Sequence, residues 1–141
     1  MQVYEIDCAY LPLLGRGAVM SWTASQFALV IVGGLHAIIM IGELYPWECP
    51  FIMGKVLESK GLQLSDNDAH FVSTVVHNAG IYNGIVALGL FAAAKAGTLP
   101  VQIALLAGGI IAGLFGFATL TKITIVQAIL SALALAVVVW S

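Results

Sequence analysis

The sequence predicts an all-α, polytopic membrane protein whose four transmembrane helices form a bundle. Hydrophobic residues make up 61% of the 141-residue chain and charged residues only 9%, whereas a soluble domain carries about 25% charged residues. So few charges do not cover the surface of a water-soluble fold of this size, and lipid must solvate much of it. The apolar residues also fall into four long runs, each suited to a helix because open sheet edges cannot span lipid.

The chain divides into an N-terminal arm, residues 1–22, and a transmembrane domain, residues 23–141. Pro12 and two glycines interrupt the arm, which we expect to lie on the membrane surface or on a partner. The first span is predicted at residues 23–45, because a bilayer core needs about 20 helical residues. Pro46 ends this span, since a proline disfavours helix in the residue before it.

A polar loop, residues 46–69, separates the first two spans, and we expect a short surface helix within it, Met53–Lys60. Ser65 or Asp66 is the expected N-cap of the next helix. The later spans are predicted at residues 70–94, 101–118 and 125–140, with Pro100 in the first turn of the third and Trp140 as an interfacial anchor.

The third span is rich in glycine at intervals that suit close packing. Gly109 and Gly113 lie four residues apart, as do Ala112 and Gly116. Small residues at this spacing let helix backbones approach closely in lipid. Glycine is also common in membrane helices for other reasons, but we expect this stripe to contact a neighbouring helix.

A few polar residues interrupt the apolar spans and are the candidate functional site. His36 and Glu43 are seven residues apart, close to two helical turns, so they point the same way. Asn78 and Tyr82 share a face of the second helix at i and i+4. The polar loop puts the end of helix one and the start of helix two on one membrane side, so these faces overlap in depth and we expect them to meet.

His36 and Glu43 are the candidate acid–base pair. Asn78, Tyr82, Asn83, His77 and Trp47 are the candidate substrate-binding residues. Ionisable groups inside a membrane are costly and mark functional sites by default. The alternative is that these side chains only hydrogen-bond one another and hold the helices together, at about 0.6–2 kcal/mol per bond.

The sequence gives no indication of a metal, a cofactor or a nucleic acid. His70 and His77 are seven residues apart, whereas a compact helical metal site uses i and i+4. The five cations are scattered without a basic stripe, and the net charge is -2. No phosphate-binding loop, dinucleotide fingerprint or nucleophile elbow is present.

Two motifs resemble a known family. The octapeptide E-L-Y-P-W-E-C-P at residues 43–50 has the form E-x-x-x-W-x-x-P, and N-A-G-I-Y-N-G at residues 78–84 is similar to N-Q-G-L-Y-N-G. With His36 ahead of Glu43, they resemble the small four-helix membrane family catalogued as domain of unknown function 1304, over about residues 25–140. Ala79 stands where the family motif has glutamine. The resemblance implies the fold and carries no activity.

Three functions are compatible with these observations. The first is a small intramembrane enzyme that does acid–base chemistry (isomerisation, epoxide opening or cyclisation) on a lipophilic substrate. The second is a structural or accessory subunit of a larger membrane complex or homo-oligomer, with the arm and the glycine faces as contact surfaces. The third is a binder or transporter of a small solute. An enzyme predicts a cavity lined by the named residues, whereas a subunit predicts a filled interior. The lipid bilayer is the expected surrounding in every case.

Overall fold

The computed structural model describes residues 22–45, 58, 61, 65–119 and 122–141. Within these residues the chain forms four long helices, α1 (Ala24–Leu44), α2 (Asp66–Ala96), α3 (Leu99–Thr119) and α4 (Ile125–Trp140). A 3-10 turn, Lys122–Thr124, precedes α4. By length and composition all four helices, α4 taken together with this turn, can cross a membrane, which confirms the predicted all-α four-helix bundle. Most of the arm and of the polar loop, including the expected surface helix Met53–Lys60, lies outside the described residues.

Side-chain caps fix the starts of the first two helices. The Thr23 hydroxyl accepts a hydrogen bond from the Gln26 backbone at 3.2 Å, and the Gln26 side chain accepts one from the Thr23 backbone at 2.8 Å. This reciprocal pair satisfies two amides that have no partner within the helix. At α2 the Ser65 hydroxyl accepts from the Asp68 backbone at 3.3 Å, so Ser65 is the cap and the predicted signal is confirmed.

Helix α2 is longer than predicted because the cap at Ser65 sets its first residue at Asp66 rather than at residue 70. At its other end it continues to Ala96, two residues past the predicted boundary. The Gln102 side chain then donates to the carbonyls of Ala93 and Gly97 at 3.1 and 3.3 Å. These bonds join the end of α2 to the first turn of α3.

The helices are not packed equally tightly at the two ends of the bundle. α1 packs against α2 and α4, and α3 packs against α4, whereas α2 and α3 contact each other little. At the end near Gly97, which we call the closed end, apolar side chains from all four helices form one buried cluster: Leu29, Val32, Leu90, Ala94, Leu106, Ala134 and Val138. The opposite end, which we call the open end, holds Glu43, Gly116 and Thr124.

Glycines bring α3 and α4 into close contact, as the spacing in the third span predicts. Gly109, Gly113 and Gly116 are all buried. A Cβ atom on Gly113 would lie 2.9 Å from Ala128 Cα, and one on Gly116 would lie 3.0 Å from the Thr124 hydroxyl. Ala112, the other residue of the predicted stripe, is exposed and lines a cavity instead.

The outer surface of the bundle carries large apolar side chains. Ile38 is 68% exposed, Leu88 70% and Phe115 68%, and many other leucines, isoleucines and valines resemble them. In water such a surface would drive aggregation. The acyl chains of a bilayer solvate it without cost, so the outward faces agree with the membrane location that the composition indicates.

Candidate functional site

A buried histidine lies at the centre of the bundle and contacts the second helix. His36 is only 1% exposed, and its Nδ1 lies 2.9 Å from the side-chain oxygen of Asn83. The Asn83 amide nitrogen in turn donates to Glu43 Oε2 at 2.7 Å. Asn83 therefore joins His36 to Glu43, and the two residues predicted as an acid–base pair are connected through an amide.

The carbonyl of Ala79 fixes which way the Asn83 amide points. It lies 3.3 Å from the same Asn83 atom that faces Glu43, and a carbonyl oxygen can only accept. This atom must therefore be the NH2 nitrogen, and the other amide atom, facing His36, must be the oxygen. It follows that His36 Nδ1 carries a proton and donates to Asn83.

The other ring nitrogen of His36 faces α4. Gln127 Nε2 lies 3.5 Å from His36 Nε2, and Gln127 is only 6% exposed. Since Nδ1 holds the proton of a neutral ring, Nε2 accepts and Gln127 donates. A Cβ on Gly109 would lie 2.5 Å from the Ser131 hydroxyl and 3.4 Å from His36 Nε2, so only glycine leaves room for both groups.

A cavity of about 560 Å³ opens between α1, α3 and α4 at the open end. Its walls are mostly apolar, and the side chains around it are Leu35, Ile38, Ile39, Glu43, Asn83, Ala112, Phe115, Gly116, Ile123, Thr124, Val126 and Gln127. Ligand sites of this size commonly combine apolar walls with a few polar groups. Glu43 and Asn83 reach the cavity, whereas His36 lies behind Asn83 and Gln127.

The prediction that Asn78 and Tyr82 face His36 is wrong, because a different residue of α2, Asn83, contacts it. Asn78 is exposed and Tyr82 is 62% exposed, on the outer side of α2. The face of α2 that packs on α1 carries Gly80, Asn83 and Gly84, where small residues admit the side chains of Glu43, Leu44 and Met40. The rotation of α2 follows from this close packing, so Asn83 faces inward and its polar neighbours do not.

His77 lies away from the cavity, and Trp47 lies outside the described residues. His77 borders a smaller surface pocket of about 400 Å³ with Leu44, Tyr45 and Ile81. Its Nε2 is buried and has no hydrogen-bond partner among the described residues. Trp47 lies in the part of the polar loop that the structure does not describe, and its predicted role stays a prediction. Across the described residues, no three His, Cys, Asp or Glu side chains converge as a metal would require.

Helix α4 contributes polar side chains to the site that were not predicted from the sequence. The last two spans are glycine-rich or nearly uniformly apolar and suggest a packing scaffold, yet Gln127 contacts His36 and lines the cavity, and Ser131 lies beside it. A signal for this exists in the sequence: Gln127 and Ser131, at i and i+4, are the polar interruptions of an otherwise apolar run from Ile125 to Val139. Polar residues in the interior of a span mark a buried polar site.

Four apolar helices around a buried polar chain and a lateral cavity define the class of protein, a small integral membrane four-helix bundle. The family model described as protein of unknown function (DUF1304) matches residues 17–139, and the chain belongs to that family. The match starts within the last residues of the N-terminal arm, ahead of the predicted resemblance. No curated protein matches the chain, and no solved structure matches it.

Proposed function

We propose that this chain is a membrane-embedded isomerase that moves a proton within a lipophilic substrate, with Glu43 as the proton carrier. The observation that supports it most is the position of Glu43, which lines the cavity and accepts a hydrogen bond from Asn83. A carboxyl at the wall of an apolar cavity is a group that can take and return a proton. An ionisable side chain in a membrane span costs free energy, and this cost favours a functional role for Glu43.

The hydrogen bonds between side chains of the site run in one direction. Gln127 donates to His36, His36 donates to Asn83, and Asn83 donates to Glu43. Hydrogen bonds in such a chain polarise one another. Their dipoles therefore point at the Glu43 carboxyl, where charge appears and disappears as a proton leaves and arrives.

His36 acts in this proposal as a positioning residue. It is buried behind Asn83 and does not reach the cavity. The Asn83 amide between them has no ionisable proton, so His36 orients that amide rather than exchanging protons with Glu43. This differs from the predicted acid–base pair, in which both side chains would meet the substrate.

Of the three predicted reactions, isomerisation requires the fewest groups and co-reactants beyond the side chains of the site. Glu43, which is half-buried at the open end, takes a proton from one carbon of the substrate, exchanges it with solvent and delivers a proton to another carbon, while the electron pair shifts along the intervening π system. Atoms and charge balance without consuming water, an oxidant or a second substrate. Epoxide opening and cyclisation would begin with proton donation to the substrate. The hydrogen-bond donors of the site instead point at the Glu43 carboxyl, which favours a carboxylate that accepts a proton.

Solvent deuterium reveals turnover whatever the identity of the lipid substrate. The full chain is reconstituted with a total lipid extract of its source membrane in D₂O, and lipid isomers that gain deuterium are sought by mass spectrometry. The wild type should produce such isomers, and Glu43→Gln should reduce their rate by about 100-fold or more. Glu58→Gln makes the same chemical change at an exposed position outside the spans and should leave the rate unchanged.

Two further variants separate orientation from folding. His36→Gln keeps an N–H donor near Asn83, so it should retain more turnover than His36→Leu at similar KM. Unchanged exchange in folded Glu43→Gln protein, or no deuterated lipid from folded wild type, would overturn the proposal. A lipid that stays bound without exchange would point to a binding protein instead.

A further inference from the structure

The side-chain donors on the cavity wall that have no partner within the described protein restrict which ligands can bind there. Asn83 has both N–H groups engaged, one with Glu43 and one with Ala79, and its oxygen accepts from His36. It has no donor left for a ligand. Among the described residues, a ligand oxygen must therefore find its donor elsewhere on the wall.

Gln127 has that capacity. Its side-chain amide carries two N–H groups, and only one of them points at His36, at the long distance of 3.5 Å. The residue is buried, with 6% exposure, yet it lines the cavity. A buried amide whose second N–H has no protein acceptor among the described contacts is costly unless a ligand satisfies it.

The charge of the wall excludes anionic ligands. The described lining residues include no lysine, arginine or histidine, and their only ionisable group is Glu43. A fatty-acid carboxylate or a phosphate at Gln127 would lie in an apolar cavity beside a carboxyl, with no compensating cation among the described lining residues, which is strongly unfavourable. An ammonium headgroup has donors only and offers no acceptor to the Gln127 N–H, so the ligand headgroup is a neutral oxygen that accepts one N–H.

The proton transfer proposed for Glu43 distinguishes a carbonyl from the other neutral oxygen groups, alcohols and ethers. Removing a proton from carbon is feasible only where a neighbouring group takes up the electron pair, which a carbonyl does and an alcohol or ether does not. A donor at the carbonyl oxygen stabilises the negative charge that develops there. Gln127 is placed on the same cavity wall as Glu43 to supply that donor.

From these observations we infer that Gln127 binds the carbonyl oxygen of a neutral lipophilic substrate, which reaches the cavity sideways from the bilayer. The lateral route lies between α1 and α3, where Ile38 and Phe115 line the cavity and are also exposed on the outer surface. The inference rests on the proposed function for its choice of a carbonyl. Its binding test, however, does not require turnover.

Three probes with the same hydrocarbon body test the headgroup: 2-pentadecanone, pentadecanoic acid and pentadecane. Each is added to the purified full chain in nanodiscs, and thermal unfolding is followed. The ketone should raise the Tm, and the acid and the alkane should not. Gln127→Met, which keeps length and removes both amide groups, should reduce the apparent affinity for the ketone by about 10-fold, the equivalent of one hydrogen bond. Glu43→Gln should still bind it.

A spectroscopic measurement covers the case in which Gln127→Met does not fold. With carbonyl-¹³C 2-pentadecanone, the C=O stretch of the ketone bound to wild type should lie at lower wavenumber than in nanodiscs alone. An unshifted stretch, or equal stabilisation by ketone and alkane, would overturn the role of Gln127. If the ketone binds through Gln127 but the lipid extract gains no deuterium, the inference stands and the proposed isomerase fails.

Discussion

The closed and open ends of the bundle differ in what fills the space between the helices. At the closed end Leu29, Leu90 and Leu106 are fully buried in one cluster with Ala134 and Val138 of α4. Towards the open end a cavity opens between α1, α3 and α4, and the buried polar residues of the described chain, His36, Gln127 and Ser131, lie beside it or next to one another. The closed end supplies packing for the whole bundle, which lets the open end hold an unfilled space and a costly chain of polar groups.

The largest expected effect is on the closed end. Leu90→Ala removes a fully buried side chain and should lower the free energy of unfolding by about 2–5 kcal/mol, through lost contacts and the cavity left behind. Leu88→Ala, on the same helix but 70% exposed, should change it little. Denaturation in mixed micelles measures both. Equal losses would mean that the closed end is not the packed core of the bundle.

The contact between α3 and α4 should be the next most sensitive. Gly113→Ala would place its Cβ 2.9 Å from Ala128 Cα, and helix backbones must separate to admit it, at about 1–3 kcal/mol. Gly108→Ala is the matched control, because a Cβ there meets nothing within 4 Å. Comparable melting temperatures for the two variants would refute the close approach of these helices.

At the open end, Asn83→Leu should cost about 1–2 kcal/mol, because His36 and Glu43 lose the amide that joins them. Asn78→Leu makes the same change five residues earlier, at an exposed position, and should be neutral in lipid. Chemical denaturation in bicelles distinguishes the two. A larger loss of unfolding free energy for Asn78→Leu than for Asn83→Leu would mean that Asn78 faces the bundle interior, as the sequence predicts. It would contradict the inward position of Asn83.

The smallest effect is expected at Ser131. Its hydroxyl is fully buried and has no hydrogen-bond partner within the part of the chain that the structure describes. Ser131→Ala therefore removes an unsatisfied group and should change stability by less than about 0.5 kcal/mol, or raise it. The thermal melt of the variant beside that of Asn83→Leu checks this. A loss as large as that of Asn83→Leu would show that Ser131 has a partner in the bilayer-embedded protein.

Sequence alone determined the number, type and approximate ends of the helices. Long apolar runs need internally satisfied backbone groups in lipid, so they are helices whatever their neighbours are. Thr23, Ser65 and Pro100 act within one turn of chain, so their influence is local. His36 and Glu43 stand out as polar residues in an apolar span and lie on the same side of α1, as their spacing predicts, where Asn83 joins them. Their acid–base role stays a prediction.

Only the tertiary structure decided which polar residues join them. In a membrane helix both faces are apolar, so hydrophobic periodicity does not reveal the inward side, and Asn78, Tyr82 and Asn83 are equivalent by composition. Packing of Gly80 and Gly84 against α1 sets the rotation that turns Asn83 inward. The approach of α4 through Gly109 and Gly113 likewise brings Gln127 to His36, a contact between residues 91 positions apart that no local pattern encodes.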